Sequence, residues 1–216
     1  MKILIVEDHQ IFSDGLKLFL AEMHEQPEIL EAASSQDGFT IAAAHPDIDL
    51  VMLDISLPDM DGCEALRIFS DRFPTLPVIM LTASESRRHM NRCFDLGASG
   101  YIPKSSSTEV MRAAIRLVMA GGIYVPPSMG IPRTRTRAVR SQRSQEQTLA
   151  SLTERQSEVL QQLMKGRSNK QIAHRLDVSE ATVKVHVSAI LRTLGLRSRV
   201  EAALLAQKED LNPVGA

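Results

Sequence analysis

The chain has 216 residues, of which 44% are hydrophobic, and a formal net charge of −1, so it is long enough for one large domain or two small ones. Its two cysteines, Cys63 and Cys93, are too few for a disulfide framework or a four-cysteine zinc site. The first apolar run stops at Glu7, and no run approaches the roughly 18 apolar residues of a membrane span. We therefore expect a cytoplasmic protein with no signal peptide and no membrane partner.

The charge is distributed unevenly along the chain. Residues 1–125 carry 10 Lys and Arg against 18 Asp and Glu, a net charge of −8, whereas residues 126–216 carry 15 against 8, a net charge of +7. An acidic half joined to a basic half predicts two domains, of which the basic one meets a polyanion. We place a first domain at 1–125, a linker at 126–148 and a second domain at 149–216.

The acidic half alternates short apolar runs with helical patterns. Apolar runs at 3–6, 29–33, 50–53, 78–81 and 100–102 predict strands, because a parallel strand buried on both faces need not alternate. Helical spacing follows each strand, from Ile11 to Met23 and then over 35–44, 62–73, 86–96 and 107–120. Five strand–helix units in succession predict an α/β domain with a parallel sheet covered by helices on both faces.

Chemically reactive side chains follow four of these strands. Asp54 ends the third run before the turn Pro58-Asp59-Met60-Asp61-Gly62, and the others are Glu7, Asp8, Thr82 and Lys104. Alone, Asp54 fits a turn or helix-cap aspartate as well as a nucleophile or metal ligand. Because ligands collect at the carboxyl ends of parallel strands, the whole set favours phosphoryl transfer.

With these five positions in order, about the first 120 residues resemble the receiver domain of two-component response regulators. The resemblance implies a doubly wound, flavodoxin-like sheet with the strand order 2-1-3-4-5. It also implies that Asp54 is the nucleophile that takes a phosphoryl group from a sensor histidine kinase.

The same resemblance assigns roles to the residues around Asp54. A Mg²⁺ ion is expected on Glu7, Asp8, Asp54 and the backbone carbonyl of Ser56. Lys104 offsets the charge of the transferring group. Two further positions form the implied switch, in which a hydroxyl binds the new phosphate and an aromatic ring then swings inward: Thr82 and Tyr101.

The segment after the fifth helix has the composition of a linker. Gly121-Gly122 stops the helix, Pro126-Pro127 marks the end of the domain, and residues 128–148 lack an apolar period but contain five arginines. We predict a solvated, flexible linker. Non-specific contact with phosphate is the alternative.

The basic half contains a second set of helix signals from Leu152 onwards. Capping boxes are predicted at Thr153 with Gln156 and at Ser168 with Gln171, and Ser179 is a third N-cap. Gly166 is placed to end the first helix, and a fourth short helix is expected over 199–207. Four short helices, of which the middle pair is joined by 177–179, predict a helix-turn-helix.

The third of these helices has two faces. Its inward face is predicted from Val183, Val187, Ile190, Leu191 and Leu194. Lys184, Val185, Ser188 and Arg192 share the opposite side, where an exposed valine suits contact with a thymine methyl in a major groove. An incidental surface valine is the simpler interpretation of Val185 alone.

Residues 150–207 resemble the NarL/FixJ (LuxR-type) DNA-binding domain, on the segments Leu152–Gln156, Asn169–Ala173 and Thr182–Val187. The resemblance implies contact with double-stranded promoter DNA through Lys170, Thr182, Lys184, Val185, Ser188 and Arg192. Ser188 departs from the lysine or histidine common there, which weakens one base contact. The resemblance also implies that the receiver covers the recognition helix before phosphorylation. In the last helix, Val200, Ala203 and Leu204 form a small apolar stripe, through which we expect a homodimer on DNA.

Three functions remain open on the sequence. The first is a non-enzymatic response regulator that binds promoter DNA under the control of Asp54. The second is an aspartate-nucleophile phosphatase, which requires a second carboxylate where Ser56 stands. The third is a constitutive DNA-binding protein with an inert receiver. His9 and His186 have no second ligand at useful spacing, so we predict that both are structural.

Overall fold

The computed structural model describes residues 1–23, 26–83, 86–129, 152–196 and 201–202. The first described region forms the α/β domain predicted for the acidic half. Its strands are β1 (Lys2–Val6), β2 (Glu28–Ala32), β3 (Leu50–Asp54), β4 (Val78–Thr82) and β5 (Gly100–Pro103). Its helices are α1 (Gln10–Ala21), α2 (Ser35–Ala44), α3 (Gly62–Arg72), α4 (Arg87–Asp95) and α5 (Thr108–Met119).

The five strands form one parallel sheet in the order β2-β1-β3-β4-β5, which confirms the predicted order. Every residue of β3 and β4 is buried, because helices cover both faces of the sheet. Two apolar cores result, one on each face. This burial explains why the strands are continuous apolar runs.

Most strand and helix ends in the receiver lie within one residue of the sequence prediction, but α1 ends at Ala21, two residues before the predicted Met23. The second strand runs from Glu28 to Ala32 instead of from Ile29 to Ala33, because its register places Lys2 opposite Glu28 and Val6 opposite Ala32. Three helices are shorter than predicted because a residue predicted to be helical is a cap. Ser86 and Ser107 are the N-caps of α4 and α5, and Phe73 is the C-cap of α3.

The second described region is all-helical. It contains α6 (Glu154–Met164), α7 (Asn169–Leu176) and α8 (Glu180–Leu194). Both predicted capping boxes are present, and the hydroxyl of Ser179 accepts the N–H of Thr182 at the start of α8. These caps satisfy N–H groups that have no partner within the helix.

The three helices enclose their own apolar core. The inward face of α8 contributes Val183, Val187, Ile190 and Leu191, all of which are buried. Gly166 lies in the left-handed region after α6, with φ +70°, as expected of a helix-ending glycine. Most of the predicted linker (residues 130–148), residues 149–151, most of the fourth helix, and Val200, Ala203 and Leu204 lie outside the described residues.

Residues of the two halves contact each other within the described part of the chain. The Nζ of Lys184 on α8 donates hydrogen bonds to the backbone carbonyls of Pro46 and Ile48, just before β3, at 2.9 and 3.3 Å. At the end of α5, Gly121 lies against the backbone of Gly166, so closely that a Cβ on Gly121 would overlap the carbonyl oxygen. Among the described helices, none has both the length and the apolar character needed to cross a bilayer.

Candidate functional site

The acidic site lies at the carboxyl edge of the sheet. Asp54 is the last residue of β3, and Glu7 and Asp8 follow β1 directly. Asp54 and Glu7 are buried, whereas Asp8 is exposed. The Nζ of Lys104 lies 3.0 Å from Oδ2 of Asp54 and 2.6 Å from Oε2 of Glu7. The structure therefore brings together the acids and the lysine that the sequence singled out.

Lys104 is held in place from several directions. Its backbone N–H donates to the carbonyl of Thr82 at 2.6 Å, which joins the ends of β4 and β5. Its ammonium group lies over the ring of Phe12, 4.7 Å from the centroid, where the ring face attracts a cation. A positive charge is thus fixed beside Asp54 before any reaction, which is what electrostatic stabilisation of a transferring group requires.

The site carries more negative than positive charge, which favours binding of a cation. Three carboxylates face one ammonium group, and the buried Oδ1 of Asp54 has no hydrogen-bond partner within the described part of the chain. Burying a carboxylate oxygen that has no hydrogen-bond partner is costly. Ligand atoms of Glu7, Asp8, His9 and Asp54 lie within 4.8 Å of one another. The carboxylate oxygens of this set suit a hard divalent cation such as Mg²⁺.

His9 corrects one prediction from the sequence. Its Nδ1 lies 3.0 Å from Oε1 of Glu7 and 3.0 Å from Oδ1 of Asp8, so the ring belongs to the acidic site and is not a structural side chain elsewhere. Phe12 was also missed as a site residue. His9 and Phe12 both follow β1 closely in sequence. They lie near the sheet edge because α1 begins at Gln10, directly after His9.

The loop between β3 and α3 is built closely around Asp54. The N–H of Gly62 donates to the carbonyl of Ile55 at 2.9 Å, and a Cβ at Gly62 would overlap the backbone of Asp54 and Ile55. Ser56 pairs with Asp61 in an isolated bridge across this loop. Only a glycine allows this close approach, so Gly62 fixes the peptide groups next to Asp54.

Two aspartates anchor the same loop to neighbouring helices. Asp61 caps α3 by accepting the N–H of Cys63 at 2.9 Å. Asp59 accepts the N–H groups of Ser35 and Gln36, each at 3.0 Å, in the first turn of α2. Burial acts to raise the pKa of Asp59, but these two backbone donors outweigh it and hold the pKa below its usual value.

The two switch residues lie side by side. Thr82 ends β4, Tyr101 is in β5, and both are buried. Burial raises the pKa of Tyr101, and a hydrogen bond with Thr82 partly offsets this shift. The sequence predicted that the ring of Tyr101 swings inward once Asp54 is phosphorylated, and in this structure the ring is already buried. Thr82 therefore links the ring to the edge that holds Asp54.

An apolar groove opens beside the acidic site, between α1 and the start of α5. Its volume is about 590 Å³, and Phe12, Leu16 and Met111 are among the residues that line it, with Lys104 at one end. Ile11 stands at the rim and is 90% exposed. Ile11 and the apolar lining of the groove together form an apolar surface beside the acidic site.

The candidate nucleic-acid interface is the outer side of α8. Val185 is 68% exposed, and Arg192 is exposed as well, while Thr182 and Ser188 are half-buried. Lys170 is exposed in the first turn of α7. The structure thus keeps the predicted DNA-contacting residues out of the helical core. Lys184 belongs to the same side, but its Nζ is bound to the first domain.

Two family models match the chain. The model described as response regulator receiver domain matches residues 3–116, and the model described as bacterial regulatory proteins, luxR family, matches residues 150–206. The two matches fall on the acidic half and on the basic half.

Curated proteins and solved structures match over nearly the whole chain. The glycerol metabolism activator of Pseudomonas putida is 37% identical over 97% of this chain and 96% of its own. The nitrate/nitrite response regulator protein NarP of Escherichia coli (strain K12) is 34% identical over 94% of this chain and 93% of its own. The crystal structure of the response regulator ChrA, from a heme-sensing two-component system, has a TM-score of 0.50 and 26% identity, covering 97% of this chain and 98% of that chain.

Proposed function

Because this chain belongs to the NarL/FixJ family of response regulators, which join a receiver domain to a LuxR-type DNA-binding domain and regulate transcription, we propose that Asp54 is its phosphoacceptor. The phosphoryl donor is a sensor histidine kinase, and the output is binding of double-stranded promoter DNA. We assign the receiver to 1–125, the linker to 126–148 and the DNA-binding domain to 149–216.

The convergence of four side chains on one sheet edge carries this proposal. An oxygen of Asp54 attacks the phosphorus in line with the leaving nitrogen of the kinase histidine. Lys104, whose Nζ lies 3.0 Å from Asp54, offsets the charge on the phosphoryl oxygens. When bound by Glu7, Asp8, Asp54 and the carbonyl of Ser56, Mg²⁺ supplies further positive charge to those oxygens.

The kinase approaches over the groove beside α1. Its histidine has to reach the edge that holds Asp54, and the adjoining groove exposes Ile11 and is lined in part by Phe12. A helical surface of the kinase with apolar side chains fits such a groove. Ile11 then serves docking, whereas Asp54 and Lys104 serve the transfer.

In the DNA-binding domain, α8 enters the major groove. Lys184 and Val185 face the base edges, and Thr182, Ser188, Arg192 and Lys170 contact bases or phosphates around them. We further propose that two chains bind one operator as a homodimer through Val200, Ala203 and Leu204. This apolar stripe is too small for a stable dimer away from DNA.

We propose that the contact between α8 and the receiver masks the recognition helix before phosphorylation, and the hydrogen bonds of Lys184 support this. Lys184 cannot donate to DNA while its Nζ donates to the carbonyls of Pro46 and Ile48. Phosphorylation at Asp54, at the far end of β3 from these carbonyls, shifts the population toward a state that releases α8. Thr82 and Tyr101 carry this change from the phosphate to the surface formed by α4, β5 and α5.

A phosphatase is the weaker alternative. An aspartate-nucleophile phosphatase uses a second carboxylate two residues after the nucleophile as a general acid, and Ser56 offers only a hydroxyl there. An inert receiver is also weaker, because the acceptor, the acids and Lys104 are all in place. Transfer to Asp54, with slow loss of the phosphate, is therefore the chemistry we assign.

Phosphotransfer from acetyl phosphate or a cognate kinase tests the proposal. We expect label that hydrolyses in strong acid and in base, as an acyl phosphate does, no label on Asp54→Asn, and no label when EDTA removes divalent cations. The labelled protein should also retain a defined set of genomic DNA fragments. Undiminished label on Asp54→Asn, or labelling in EDTA, would contradict the proposed acceptor site.

A further inference from the structure

Cys63 and Cys93 bring two thiols together inside the receiver. Cys63 lies in the first turn of α3 and Cys93 in the last turn of α4, thirty residues later in the chain. Both are free and buried, and their Sγ atoms lie 3.5 Å apart, within hydrogen-bond distance for sulfur. Neither the acceptor site nor the DNA-binding face uses this pair.

The two thiols differ in how easily they ionise. The hydrogen bond between the two sulfur atoms lowers the pKa of Cys63 and outweighs burial and the nearby Asp61, which act to raise it. The shared hydrogen bond and burial together raise the pKa of Cys93. The N-terminus of α3 favours a thiolate at Cys63, and the guanidinium group of Arg92 favours one at both sulfurs. Cys63 is therefore the thiol that becomes the nucleophile.

The same two helix ends are also joined at the surface. The guanidinium group of Arg92, next to Cys93, lies 3.9 Å from Oδ1 of Asp61, which caps the turn that contains Cys63. This ion pair is solvent-exposed and therefore weak. It nevertheless shows that the start of α3 and the end of α4 face each other both at the surface and in the core.

We propose that Cys63 and Cys93 are a redox-sensitive dithiol, which a peroxide oxidises to an intrachain disulfide between α3 and α4. The thiolate of Cys63 attacks one peroxide oxygen and the O–O bond breaks. The leaving hydroxide takes up a proton to give water, and Cys63 becomes a sulfenic acid. The sulfur of Cys93 then attacks that of Cys63, and its proton leaves with the sulfenic hydroxyl as a second water. The thiols lose two electrons, which reduce one peroxide to two waters.

The movement needed for this bond is small. The sulfur atoms have to approach from 3.5 Å to about 2.05 Å, the length of a disulfide. Since both thiols are buried, peroxide reaches them only when α4 opens locally from α3, so the reaction is slower than that of an exposed thiol. In a reducing compartment such a bond is transient, as expected of a sensor and not of a structural disulfide.

The disulfide would restrain the proposed switch. Cys63, Met90, Cys93 and Phe94 lie in the same apolar core as Tyr101, and α4 flanks β5. A covalent link from α4 to α3 therefore restricts the movement of the side chains that pack in the same core as the ring of Tyr101. This effect on the switch rests on the proposed function, whereas the oxidation of the two thiols does not depend on it.

Peroxide treatment of the full-length protein tests the proposal. After treatment with hydrogen peroxide, remaining thiols are alkylated in urea and the peptides are mapped without reduction. We expect both thiols of the wild type to disappear together into one Cys63–Cys93 linked peptide, and dithiothreitol to restore both. Cys93→Ala should leave Cys63 as a sulfenic acid that dimedone traps, whereas Cys63→Ala should leave Cys93 alkylatable.

Two controls keep this test separate from the proposed phosphoacceptor. Asp54→Asn should oxidise like the wild type, because its thiols are unchanged, whether or not Asp54 accepts phosphate. If either alanine variant fails to fold, the peptide map of the oxidised wild type still shows whether the Cys63–Cys93 disulfide forms. Thiols that stay alkylatable in the wild type, at peroxide doses that oxidise free cysteine completely, would overturn the proposal. A disulfide between two chains in place of the intrachain bond would overturn it as well.

Discussion

The ammonium group of Lys184 on α8 donates a hydrogen bond of 2.9 Å to the backbone carbonyl of Pro46 in the receiver. A second bond, to Ile48, places the same group at the entry to β3, the strand that ends in Asp54. A lysine expected to meet DNA is thus bound by the domain expected to control it. The predictions below separate this contact from the chemistry at Asp54.

The Gly121–Gly166 contact allows the masked arrangement to be opened without changing the DNA-binding face. In Gly121→Ala, the new Cβ would overlap the carbonyl oxygen of Gly166, so the two domains have to separate. We expect unphosphorylated Gly121→Ala to bind operator DNA about fivefold or more tightly than the wild type, which is the lower end of typical coupling between sites. Titration of labelled operator DNA measures this.

The matched control is Gly166→Ala. It places alanine at a similar positive φ, +70° against +96°, but its Cβ meets no atom within 4 Å. Its operator affinity should therefore stay close to that of the wild type. If both variants gained operator affinity equally, backbone strain would explain the effect, and the support for masking would be lost.

Lys184 and Val185 should differ in how they affect DNA binding. In the phosphorylated protein, Lys184→Ala should cost about 1–3 kcal/mol and relax specificity at one base pair if the lysine reads a base. If it touches only phosphate, binding should weaken evenly and the salt slope should fall by about one. Val185→Ala should weaken binding only to sites with the preferred thymine. Unchanged affinity in both variants would mean that α8 is not the recognition helix.

The ring of Phe12 should help to position Lys104 for phosphoryl transfer. Phe12→Leu keeps an apolar side chain but removes the ring face that lies 4.7 Å from Nζ. A cation–π contact is worth about 0.5–1 kcal/mol at such a site, so labelling by acetyl phosphate should slow by about two- to fivefold. Phe19→Leu, the same change two turns later in α1, should label at the wild-type rate.

Ile11 should matter for the kinase and not for a small donor. Ile11→Lys replaces the 90% exposed apolar side chain at the groove with a charge, so phosphotransfer from the cognate kinase should fall by about tenfold or more, as for an anchor residue worth over 1 kcal/mol. Labelling by acetyl phosphate should not change. A parallel loss with both donors would show that the substitution damages the acceptor site itself.

Asp59 should give the receiver a pH-dependent increment of stability. Because its pKa is lowered in the folded state, the increment is fully present above the unfolded-state pKa of about 4 and is lost as pH falls through the folded value. Asp59→Asn should cost less than about 1 kcal/mol in the free energy of unfolding at pH 6, because the exposed carboxylate is screened by solvent. The cost should shrink toward pH 3. Gln36→Ala, which keeps the backbone N–H, should follow the wild-type profile in urea unfolding.

The sequence by itself determined the elements and most of the acceptor site. Strands buried on both faces are continuous apolar runs, so their ends mark where Asp54, Thr82 and Lys104 must lie, and parallel strands carry those ends to one edge. Capping at Thr153, Ser168 and Ser179 is equally local, because each cap acts within one helical turn. Spacing along the chain is sufficient for both kinds of feature.

Only the tertiary structure decided the contacts between residues far apart in sequence. Nothing in the spacing of Cys63 and Cys93 indicates that their sulfur atoms meet, since that depends on how α3 packs beside α4. The same holds for Lys184, whose partners Pro46 and Ile48 precede it by more than 130 residues. Periodicity shows which face of a helix is buried, but the packing of whole elements determines what lies opposite that face.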